Sequence, residues 1–86
     1  MTDGFERFKF TGKEICALMR SHRVTIKTLA KRMQFPQHHI RKVRESGVAG
    51  HPACDWFEAI TGALSPEMQR AYQQRSGLRY QPMFAP

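Results

Sequence analysis

The chain has 86 residues and a mass of 10.0 kDa, so it forms one small domain; a chain this short cannot hold two cores and buries only about 60–65% of its unfolded surface. It is 41% apolar and 24% charged, with a mean hydropathy of −0.55. Those values, and the lack of any apolar run of about 18 residues, exclude a membrane span, a wholly disordered chain and a large enzyme. Fourteen Lys and Arg against seven Asp and Glu leave a net charge of +7, so the first question is where the excess sits.

The excess is local. Between Arg20 and His51 stand Arg20, Arg23, Lys27, Lys31, Arg32, Arg41, Lys42 and Arg44 against Glu45 alone, while the rest of the chain is balanced. All four histidines, His22, His38, His39 and His51, fall in the same window. Pairing with acids four residues away cannot account for these cations where acids are nearly absent. The window therefore predicts one face presented to a polyanion, nucleic acid foremost. Asp3, Glu6, Arg7 and Lys9 interrupt the first ten residues, which argues against an export leader and predicts a cytoplasmic protein. Cys16 and Cys54 lie far apart and form no CxxC pair, so both are expected as small buried hydrophobes with free thiols.

Taken in chain order, residues 1–10 carry Phe5, Phe8 and Phe10 between charges, and Phe8-Lys9-Phe10 alternates like a short strand or an extended arm. Thr11-Gly12-Lys13-Glu14 reads as a capping box, hydroxyl and carboxylate each satisfying an orphan backbone N–H. It predicts a helix over about 12–21, with Ile15, Leu18, Met19 and His22 as one buried stripe. Thr25 is a natural N-cap for a second, short helix ending at about Arg32 or Met33, with Ile26, Leu29, Ala30 and Met33 inward. Pro36 cannot extend that helix and pushes Phe35 out of the helical region, yet it suits the first turn of another.

The third helix is thus predicted from about Pro36 or Gln37 to Glu45, with Ile40 and Val43 buried and Gln37, His38, Arg41, Lys42 and Arg44 outward. Ser46 to Pro52 reads as a loop by its glycines and proline. Ala53, Trp56, Phe57 and Ile60 predict a fourth helix over about 53–61 ahead of Gly62, with Trp56 and Phe57 in the core. Ser65-Pro66-Glu67 starts a fifth over about 66–75, with Met68, Ala71 and Tyr72 as its inner face. The last residues hold aromatics between two prolines and read as an extended tail.

Helices two and three, joined through three residues, make a support helix, a tight turn and a helix aimed outward. Leu29-Ala30, Met33, Phe35 in the turn, Ile40 and Val43 resemble the helix-turn-helix pattern, in which Ala30 must be small because the helices nearly touch. Over roughly residues 12–74 the chain is similar to the Cro/C1-type (Xre-like) regulators. Ile40-Arg41-Lys42-Val43-Arg44-Glu45-Ser46-Gly47 stands where that family ends its recognition helix, and Pro52 falls just before the fourth helix. The resemblance implies an all-α, five-helix helix-turn-helix domain over 11–75, its helix-turn-helix at 25–45, between an N-terminal arm or short strand at 1–10 and an extended tail at 76–86.

Two positions depart from that family. Gln34 occupies the turn site where a glycine with positive φ is usual, at a cost of roughly 1 kcal/mol for a glutamine. Arg44 replaces a frequent glutamate. Thr11-Gly12-Lys13-Glu14, Val43 to Gly47 and Trp56 to Gly62 also resemble small regulators carried on bacterial conjugative plasmids. That likeness implies an autoregulator or a repressor of neighbouring plasmid genes.

A recognition helix places its N-terminal residues on base edges in the major groove, so Gln37, His38, Arg41 and Lys42 are the expected base readers. Glutamine pairs bidentately with adenine and arginine with guanine, and histidine donates to guanine or phosphate. Arg23, Thr25, Lys27, Lys31, Arg32, Arg44 and His51 are the expected phosphate contacts. One small domain offers about 600–1,000 Å² to DNA, which favours a homodimer on a palindrome. Tyr72, Tyr80 and Phe84 are the expected dimer surface.

The expectation is therefore a repressor of double-stranded DNA, neither an enzyme nor a binder of a small-molecule substrate, with no cofactor and no metal. His38, His39, His51 and Cys54 have no zinc-ligand spacing, because adjacent helical histidines point about 100° apart. Two alternatives stay open: an antitoxin-type protein of the same architecture that neutralises a partner toxin and autoregulates its operon, and an RNA binder. The basic window lacks the aromatics that stack single-stranded bases, which weighs against the last.

Overall fold

The computed structural model describes residues 7–76, the side chains of 75 and 76 excepted. Five helices and one pair of two-residue strands follow in the order β1 (Lys9–Phe10), α1 (Gly12–Ser21), α2 (Ile26–Met33), α3 (Gln37–Ser46), β2 (Val48–Ala49), α4 (His51–Thr61) and α5 (Pro66–Ser76). The all-α, five-helix reading holds. None of these helices is long and apolar enough to cross a membrane.

Local chemistry explains most boundaries. At the start of α1 the Thr11 N–H donates to Glu14 Oε1 at 2.9 Å and the Glu14 N–H donates to Thr11 Oγ1 at 3.1 Å, a complete capping box. Thr25 caps α2, its Oγ1 accepting from the Thr28 N–H at 3.1 Å. Gln34 closes α2 in the left-handed conformation, with φ 57° and ψ 41°. Phe35 N–H donates back to the Ala30 carbonyl at 3.0 Å, the six-to-one bond of a Schellman turn. Pro36 is the N-cap of α3, not a residue within it.

An eight-residue helix such as α2 does not hold in water by itself, so tertiary burial supports it. Leu29 and Ile40 are fully buried with Ile15 at the centre of the main core, beside Met19, Val43, Trp56 and Ile60. A second cluster joins Phe8, Ala53, Cys54, Leu64, Met68 and Ala71, and Phe10 and Val48 pack against both. Full burial of a Leu or Ile side chain stabilises by about 1.5–3 kcal/mol. Trp56, only 2% exposed, and Met68, Ala71 and the half-buried Tyr72 take the inward places expected of them.

Cys16, expected as a buried hydrophobe, and Arg44, expected outward, are both half-buried and bonded to each other, and the structure departs from expectation in three further places. Ser46 to Pro52 is not simply a loop: Val48 and Ala49 pair antiparallel with Phe10 and Lys9, and the Gly50 N–H donates to the Phe8 carbonyl at 2.8 Å. Helix α4 starts at His51, two residues before Ala53, because Pro52 fits a first helical turn where no N–H partner is needed. His22 is exposed at the C-cap of α1 and does not continue the buried stripe; the chain turns away through Arg23, whose φ is 55°.

Gly47 locks the strand pair to the helices. Its φ is 85°, and a side chain there would collide with the Phe10 carbonyl oxygen. Gly12 lies equally close to the end of α3, where an added Cβ would meet the carbonyl oxygens of Arg44 and Glu45. The start of α1 and the end of α3 are thus in backbone contact.

Candidate nucleic-acid interface

Helix α3 has two unlike sides. Ile40 and Val43 anchor it in the core, at 0% and 8% exposure. Gln37, His38, Arg41 and Lys42 are all exposed. His38, Arg41, Lys42 and Glu45 recur at i, i+3, i+4 and i+7, which is one helical stripe opposite the buried one. Pro36 supplies no capping side chain, so the first-turn N–H groups of α3 are left to other acceptors, save that of His39, which reaches the Pro36 carbonyl at 3.0 Å.

Contacts on both flanks brace this helix. His39 is half-buried between rings, 4.6 Å from Phe35 and 6.4 Å from Trp56. Phe35, at 39% exposure, is the large hydrophobic residue left open to solvent among the described residues. On the other flank Arg44 is half-buried, and its Nε–H donates to Cys16 Sγ at 3.3 Å while the Cys16 thiol donates to the Arg44 carbonyl at 3.8 Å.

The residues expected on phosphate divide into two groups. Arg23, Thr25, Lys27 and Lys31 are exposed around the start and outer side of α2. Thr25 and Lys27 line a cleft of about 370 Å³ with Cys16, Met19, Arg20, Val24, Ile26 and Arg44. Arg20 belongs to this cleft and was not among the expected contacts; its place in the last turn of α1, five residues before the Thr25 cap, was the signal for it. Arg32 and His51 are exposed too, and each also engages the protein. Arg32 Nη1 donates to the Ala59 carbonyl at 2.8 Å, tying α2 to the end of α4. His51 Nδ1 stands 3.4 Å from Asp55 Oδ2, one turn on along α4.

The electrostatics are one-sided. Among the described residues none of the eight Lys and Arg between residues 20 and 44 has a carboxylate within ion-pair distance. Burial, opposed in part by His51, raises the Asp55 carboxyl above its ordinary value of 3.8. Burial, with Asp55 beside it, pushes the Cys54 thiol up to about 11, so it stays protonated at neutral pH. Both cysteines are free. Among the described residues no three His, Cys, Asp or Glu side chains gather as a metal site would require. Of the expected dimer contacts, Tyr72 packs against the second core cluster, and Tyr80 and Phe84 lie outside the described residues. Comparison with protein-family models, curated proteins and solved structures gives no match.

Proposed function

We propose that this chain is a sequence-specific double-stranded DNA-binding transcriptional regulator of the bacterial cytoplasm, a repressor that binds a palindromic operator as a homodimer with α3 in the major groove. The reading keeps the Cro/C1-type architecture suggested by the sequence. The observation that carries it is the exposed stripe on α3 together with the cations beside it, which have no carboxylate within ion-pair distance among the described residues. Four side chains able to read base edges share the solvent side of a helix that is anchored from behind by Ile40 and Val43. An ordinary solvated surface would balance such cations with more acids than Glu45 alone.

In this arrangement the N-terminal half of α3 enters the groove. Gln37, His38, Arg41 and Lys42 meet base edges, and Arg23, Lys27, Lys31 and Arg44 hold phosphates on either side. Arg32 and His51 are exposed as well and join the phosphate contacts in this reading through N–H groups other than those that engage the Ala59 carbonyl and Asp55. Two copies are needed because one such domain covers about 600–1,000 Å² of DNA. The dimer surface is proposed on α5 and the chain that follows it.

Selection of binding sites from a random duplex pool tests the reading, with the winner retested by mobility shift at two salt concentrations and beside single-stranded RNA. A palindrome bound by two chains, with half-sites about one helical turn apart, is the expected result. Failure to enrich any duplex sequence, or tighter binding to the RNA, overturns it.

A further inference from the structure

We propose that Cys16 is a positioning residue: its sulfur holds the Arg44 guanidinium in the basic cleft between α1, α2 and α3, where Arg44, Arg20 and Lys27 together grip one stretch of DNA backbone phosphate. The proposal rests on the DNA-binding reading and adds to it the part of the molecule that sets the grip.

The geometry is reciprocal. Arg44 Nε–H reaches Cys16 Sγ at 3.3 Å, and the thiol turns back to the Arg44 carbonyl at 3.8 Å, so one sulfur engages both the side chain and the backbone of the same residue. Gly12, one turn earlier on α1, has no side chain to push α3 away, which lets that contact form. With Nε used by the sulfur, the two Nη groups have no protein partner among the described residues. They form the planar fork that takes phosphate oxygens two at a time.

The cleft itself calls for an anion. Its lining includes Arg20, Lys27 and Arg44 and no carboxylate, and cations gathered around one concavity raise its potential and repel one another until an anion enters. Thr25 Oγ1 is committed to Thr28, so the cations carry the recognition. A half-buried arginine fixed at Nε loses less freedom on meeting phosphate than one waving in solvent.

The test is an anisotropy titration of a fluorescent random-sequence duplex over a range of salt concentrations. It uses the full chain as wild type, Cys16→Val, Cys16→Ser, Arg44→Ala and the Cys16→Val/Arg44→Ala double variant, each checked for an intact thermal transition. Cys16→Val is expected to weaken binding on the order of tenfold and to flatten the slope of log K against log salt by about 0.9, as Arg44→Ala does. The double variant should lose no more than Arg44→Ala alone, and Cys16→Ser, which keeps an acceptor for Nε, should retain the wild-type slope. Cys16→Ala replaces the valine variant if valine is not tolerated in the fold. Unchanged slope in the valine or alanine variant, or losses that add in the double variant, would overturn the positioning role while leaving the DNA reading intact. A wild-type chain that binds no duplex at any salt would overturn both.

Discussion

Gln34 shows how much a single residue can be asked to bear. It stops α2 with φ 57°, a conformation that costs a side-chain-bearing residue roughly 1 kcal/mol and costs glycine little. Gln34→Gly is therefore expected to raise stability by up to about 1 kcal/mol in urea denaturation, with DNA affinity unchanged. A variant less stable than wild type would mean the glutamine side chain stabilises the turn. Arg23, φ 55°, sits at the other end of the same helix, so among the described residues the two non-glycine residues with positive φ bracket α2. At Asp55 the raised folded-state pKa has a definite sign. The folded chain keeps that proton longer, so this contribution to stability is present below 3.8 and is lost as pH rises through the raised value. Asp55→Asn should be at least as stable as wild type at about pH 7, and the difference should shrink at about pH 3. A variant that is less stable at neutral pH would show that pairing with His51 outweighs the burial of the carboxylate.

At the scale of elements, the contact between α1 and α3 does most to fix the presentation of the outer stripe. Gly12→Ala drives a methyl into the carbonyls of Arg44 and Glu45, which are backbone and cannot swing aside. Such overpacking costs about 1–3 kcal/mol, to be read as a lowered urea midpoint; an unchanged midpoint would mean α1 slides freely on α3. The helices themselves were legible because caps, prolines and apolar spacing act locally: the Thr11 box, Thr25, Pro36 and Ser65-Pro66 each mark a start that the structure keeps. The strand pair was not legible as a pair. Two residues make no pattern, and Val48 and Ala49 become a strand only because Lys9 and Phe10 arrive beside them. The place of His39 was not legible either, since one of the two rings it lies between, Trp56, is distant in sequence. Composition placed Arg32 and His51 in the basic window but gave no hint that Ala59 and Asp55 would engage them.

The excess of positive charge lies on the elements from the end of α1 to α3. Two apolar clusters bridged by Phe10 and Val48 hold the helices together, while Arg20, Lys27, Arg41, Lys42 and Arg44 stand on α1, α2 and α3 with no carboxylate within ion-pair distance among the described residues. On the proposed reading, such unneutralised charge makes DNA affinity strongly dependent on salt. The central claim is that α3 reads bases while the cations around α2 hold only the backbone. Its most direct test is to titrate Arg41→Ala and Lys27→Ala against the selected duplex and a set of single-base variants of it. Arg41→Ala should cost about 1–3 kcal/mol and erase the preference at one base position, whereas Lys27→Ala should weaken every duplex alike and lower the salt slope by about 1. Equal weakening of every duplex by both substitutions would contradict the account, because α3 would then be one more phosphate contact and not the reader of the sequence.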